Sequence, residues 1–180
     1  AVQASGAVYS YVRQIFVDEL GTIGWDLLVR SALSAPSPLS NIVLQHGGGA
    51  ARVPTADGCF GVRCWEVSVL FISLWEPPAP DTFDGGEAAA RAANMAWADA
   101  GWQALLDAGI ATGTYSVDIN HYRRPETADL EVALAYGEKL PRLRELKHAV
   151  DPKCLFRSAW PLLPLKEVLL VPITGCNWTR

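Results

Sequence analysis

The sequence predicts an α+β fold: an antiparallel sheet covered on one face by helices. CWEVSVLFISLW, residues 64–75, is β-branched and aromatic and too apolar for a surface helix, which marks a central strand. EAAARAANMAWADAGWQALLDA, residues 87–108, is alanine-rich and stops at Gly109, the residue type favoured just past a helix end. Long helices, few extended strands and no regular strand–helix alternation favour an antiparallel sheet over a parallel one.

Taken in order, residues 9–33 are expected to be helical. Val12, Ile15, Phe16 and Leu20 fall at helical spacing, as do Trp25, Leu28 and Val29, and Gly21 and Gly24 are candidate breaks. SAPSPLS is a loop by composition. Residues 41–46, NIVLQH, read as a short strand running into Gly47-Gly48-Gly49. These glycines do not make a phosphate loop, because neither GxxxxGK[ST] nor a GxGxxG opening a helix is present. In the strand over 64–75, alternation puts Trp65, Val67, Val69, Phe71 and Trp75 on one face and Glu66, Ser68, Leu70, Ile72 and Leu74 on the other. A second good strand is expected over 112–119, then short helices over 128–136 and from Pro141 to Val150. The last helix carries an apolar stripe of Leu143, Leu146 and Val150 and is stopped by Pro152.

The bulk numbers bound the function classes. With 180 residues the chain can build one domain with a proper core. A net charge of −4 gives no electrostatic support for nucleic-acid binding. No apolar run reaches the length of a membrane span, and the first residues show no signal peptide, so the chain is expected to be soluble, cytoplasmic or secreted. Cys59, Cys64, Cys154 and Cys176 lack metal-ligand spacing, so no metal site is expected and buried thiols are the plain reading. Asn177-Trp178-Thr179 fits a glycosylation sequon, relevant only to a secreted chain.

The stretch AYGEKLPRLRELKHAVDPKCLF resembles the C-terminal signature of FAD-linked oxidases of the berberine bridge enzyme-like group. Tyr136, Gly137, Arg142, Leu143, Lys147, Asp151, Pro152, Leu155 and Phe156 match it. Upstream, GGGAARVPTADGCFGVRCWEVSVLFISLW looks like the same family's Gly-Gly-Ala, Arg-Val-Pro and Phe-x-x-Arg before a strand ending in Trp. The resemblance covers about residues 41–157. It implies that residues 1–160 are a single substrate-domain-like unit, with the berberine-like segment over about 113–157 and a divergent tail over 161–180. The family's N-terminal FAD-binding domain has no counterpart in residues 1–40.

The resemblance further implies a function: the substrate-binding portion of an FAD-dependent oxidoreductase of specialised metabolism, in which a small organic substrate loses a proton to a base and a hydride to the flavin. The implied cofactor is FAD and the implied partners are a small-molecule substrate and an FAD-binding domain or subunit. Tyr115 matches a family pocket position and Glu66 offers a carboxylate from the neighbouring strand; these are the candidate catalytic residues. Gln45, His46, Arg63, Ser68 and Val117 are the candidate substrate-binding residues, Val117 standing where the family has Asn. Two other readings stay open: a flavin-free cyclase or isomerase that reuses the pocket, and a non-catalytic partner of a separate FAD-binding subunit.

Overall fold

A computed structural model describes residues 8–53, 58, 61–77, 86–114, 128–153 and 155. Its elements are β1 (Tyr9–Val17), α1 (Gly21–Leu33), β2 (Asn41–His46), β3 (Val67–Trp75), α2 (Gly86–Asp107), β4 (Ala111–Gly113), α3 (Ala128–Tyr136) and α4 (Leu140–Val150), with 3₁₀ turns at Gly49–Arg52 and Gly137–Lys139. The strands form one antiparallel sheet in the order β2-β3-β1-β4. The expected fold class is therefore the observed one.

The first element differs from expectation. Residues 9–17 are a central strand, and helix begins only at Gly21, whose φ of 55° makes the turn. β1 pairs with β3 along its whole length and with β4 at its end. The helical spacing of Val12, Ile15 and Phe16 misled because Ile15, Phe16 and Val17 are all fully buried. When both faces of a strand are covered, apolar residues fill consecutive positions and periodicity stops discriminating.

The core lies between the sheet and helices α1 and α2. Tyr11, Ile15 and Val17 from β1 and Val69, Phe71 and Trp75 from β3 pack with Leu28 of α1 and with Trp97, Ala98, Trp102 and Leu105 of α2. Gly101 is where α2 comes nearest the sheet. A Cβ there would lie 2.3 Å from the Phe71 ring, so only glycine permits this approach. Phe71 in turn meets Trp97 edge-on, with ring centroids 6.0 Å apart.

A buried ionic cluster joins this core to α3. Arg13 lies over the Trp102 ring at 4.3 Å, donates to Glu131 at 2.9 Å and sits 3.4 Å from Asp99. The Tyr11 hydroxyl donates to Asp99 at 2.9 Å. A charge taken out of water must be paired and hydrogen-bonded, and here the guanidinium has an aromatic face and two carboxylates around it.

Three further expectations are corrected. The stripe on α4 is mostly exposed: Leu143 is half-buried, Leu146 is 50% and Val150 70% exposed, and Leu140 is the buried apolar residue of that helix. Trp65 leaves the face of Val67 and Val69, because the chain bends at Glu66 and the indole stacks on Phe16, centroids 4.5 Å apart. Cys64 is disulfide-bonded, its partner lying outside the described residues, so the thiol reading fails there. The expected strand over 112–119 is β4 at Ala111–Gly113; from residue 115 it lies outside the described residues, as do Phe156, the tail over 161–180 and the sequon.

Candidate functional site

Ser68 and Gln45 share one face of the sheet while His46, opposite Val67, belongs to the other, and β-sheet register explains why. Phe16 stands opposite Ser68, and Ser68 opposite Gln45. Side chains alternate along a strand, so Gln14, Phe16, Ser68 and Gln45 share the face turned away from the core residues Ile15, Val69 and Phe71. This is where the alternation reading placed Ser68.

Gln14 organises that face. Its side-chain amide donates to the Ser68 hydroxyl at 3.0 Å. Its backbone carbonyl lies beyond the short ladder with β4, and it accepts from the Thr114 hydroxyl at 2.6 Å and from the Trp102 indole at 3.1 Å. A strand carbonyl left open by its neighbour is thus satisfied by two side chains. Ser68 and Gln14 are both buried, so the serine hydroxyl is held from within. Gln45, across from it on the edge strand, is exposed.

Glu66 sits at the bend before β3. Its N–H donates to the Val17 carbonyl at 3.0 Å, and its own carbonyl accepts from Gly47 at 2.6 Å. The carboxylate, 48% exposed, is 3.4 Å from His46 Nε2 and 4.0 Å from Arg52. Arg52 also donates to Asp18 at 2.7 Å. The structure therefore brings two candidates together, Glu66 and His46, in a four-residue rim cluster with Arg52 and Asp18. Arg63 stands apart from them and donates to the Ala51 carbonyl at 3.3 Å, which clips the segment after the glycine run. Tyr115 and Val117 lie outside the described residues.

Three contributors escaped sequence reasoning. Gln14 lies in the stretch expected to be helical, and only the alternation Tyr11, Arg13, Ile15, Val17 signals a strand with Gln14 on its second face. Arg52 stands in the Arg-Val-Pro of the upstream resemblance without having been singled out, and Asp18, its partner, lies far from it in sequence and carries no motif.

Whether the chain can itself hold FAD turns on the glycine run. Pyrophosphate needs open backbone amides at a loop or helix N-terminus. At Gly47 the space is filled: a Cβ would come 2.0 Å from the Trp65 ring, so this glycine admits the indole. Its N–H is spent on Glu66. Gly47 does not fit a phosphate-holding role.

Comparison with known proteins agrees with the sequence resemblance. Residues 126–161 match the family described as berberine and berberine like. Curated proteins yield no match. Among solved structures, the carbohydrate oxidase from Microdochium nivale is similar with a TM-score of 0.65 and 17% identity, over 87% of this chain and 33% of that one. Aclacinomycin oxidoreductase matches with a TM-score of 0.65 and 22% identity, over 87% of this chain and 32% of that one. The berberine bridge enzyme-like protein 1 of Physcomitrella patens matches with a TM-score of 0.61 and 16% identity, over 87% and 31%. The chain thus spans about a third of the length of these structures. Identities this low speak for the fold, and the family match is confined to the C-terminal segment. Residues 126–161 match the berberine and berberine like family, and the chain shares the fold of a portion of these oxidases.

Proposed function

We propose that the chain is the substrate-binding portion of an FAD-dependent oxidoreductase of specialised metabolism. The observation that carries this reading is the shared fold over 87% of the chain with two oxidoreductases, together with the berberine-like segment at 126–161. The flavin, held by an FAD-binding domain or subunit, would supply the hydride acceptor.

This chain's share is to bind and orient the substrate and to take its proton. Glu66 is the proposed base, exposed at the sheet rim and positioned by His46 and Arg52. Gln45 and His46 flank it on β2 and offer hydrogen bonds to a polar substrate. Ser68 shapes the floor through Gln14, and Arg63 fixes the approach through Ala51. Tyr115 is proposed as the second catalytic group and Val117 as a substrate-binding residue, both from the family resemblance.

The test is expression of the chain together with an FAD-binding half from a similar oxidase, joined or as a separate subunit. A flavoprotein should form, and sugars or aromatic glycosides added without oxygen should bleach the flavin absorbance. Failure of any flavoprotein to form with such halves would count against the reading.

A further inference from the structure

The outward face of α1 is apolar. Trp25 is 52% exposed, Val29 55%, Leu33 84% and Ile23 63%, while Gly24 and Leu28 are the buried positions. Trp25, Val29 and Leu33 recur every four residues and so form one ridge. Asp26 and Arg30 run beside that ridge, 3.8 Å apart and largely exposed. Four large apolar side chains on three turns of one solvent-facing helix exceed the single scattered ones that a surface normally carries.

The pattern is complementary to itself. Positions 26 and 30 are centred on residue 28, and so are positions 23 and 33. Two copies of α1 laid antiparallel about a twofold axis at residue 28 would set Asp26 against the partner's Arg30. The same placement would set Ile23 against the partner's Leu33. Trp25 and Val29 of each copy then lie close to the axis. An isologous contact requires this kind of match, in which one patch supplies both halves of every pair. We infer that α1 is a homodimer contact, and that its occupant is α1 of a second copy of this chain. The inference does not depend on the proposed function.

Sedimentation velocity on the full-length protein over a concentration series tests this. The unaltered protein should show a reversible dimer. Asp26→Arg and Arg30→Asp should each raise the dimer dissociation constant by about tenfold or more, because each sets like charges against each other twice. An equimolar mixture of the two variants should recover a mixed dimer, since each supplies the charge that the other lacks. Val29→Glu should leave a monomer. These side chains are exposed, so circular dichroism should be unchanged throughout. A monomer at all concentrations, as expected if another protein or another segment covers α1, overturns the inference. So does a dimer indifferent to these substitutions, or charge-swapped variants that do not recover on mixing.

Discussion

Arg13 donates to Glu131 at 2.9 Å, with side chains only 9% and 10% exposed, and this one bond ties a central strand to the berberine-like segment. Arg13 belongs to β1 and Glu131 to α3, 118 positions apart in the chain. Neither residue belongs to the signature that carries the family resemblance. The bond nevertheless fixes how α3 sits against the sheet.

Breaking the pair should be costly, because the remaining charge stays buried. Arg13→Met leaves both Glu131 and Asp99 without their guanidinium, and it should lower unfolding free energy by about 3–5 kcal/mol. Glu131→Gln keeps Asp99 beside the guanidinium and should cost less. Urea unfolding of the two variants measures the order; equal, small losses would mean that the cluster is solvated.

Gly101→Ala should destabilise, against the usual trend. Alanine in a helix interior is normally better than glycine by about 1 kcal/mol. Here the new methyl would meet the Phe71 ring, and overpacking of this kind costs about 1–3 kcal/mol. Thermal unfolding should show a lower midpoint for Gly101→Ala, partly restored when Phe71→Leu is added.

The 180-residue chain by itself should not form a stoichiometric complex with FAD. The glycine run is closed at Gly47 by Trp65, and that N–H is already bonded to Glu66. Titration of FAD followed by quenching of its fluorescence should give no micromolar binding. A tight one-to-one complex would show that cofactor-holding residues have been overlooked.

Under the proposed function, Glu66→Gln and Tyr115→Phe in a reconstituted flavoenzyme should each lower turnover by about 10²–10⁴-fold if the group removes the proton. His46→Ala should have a smaller effect, through loss of the contact that orients Glu66. Steady-state kinetics with flavin reduction as the readout separates these outcomes. Turnover within a few-fold of the parent for both Glu66→Gln and Tyr115→Phe would reduce them to pocket-shaping residues.

Much of this was legible in the sequence. The β-branched and aromatic run ending at Trp75, the alanine-rich helix before Gly109 and the helices around Gly137 stand within a few residues of where pattern placed them. Each is a local property: side-chain shape, helix propensity and stop residues act over one or two turns. The C-terminal signature also resembles a family's pattern over a short stretch, and residues 126–161 match that family. Part of its use is local too, since the Asp151 carboxylate accepts from Lys147 and from the Leu155 N–H.

Tertiary structure decided the rest. β1 is a strand because β3 and β4 pair with it on either side, and no local preference in YSYVRQIFV outweighs those ladders. Gln14 faces Ser68, Arg13 meets Glu131, and Glu66 meets His46 and Arg52 only once the sheet register is set. The bend at Glu66 turned Trp65 onto Phe16, where strict alternation would have sent it to the other face. The sequence by itself determined which segments would become helix or strand wherever the local preference was strong. Burial on both faces of a strand, and the pairing of charges far apart in the chain, are properties of neighbours, and only the assembled sheet and helices bring those neighbours together.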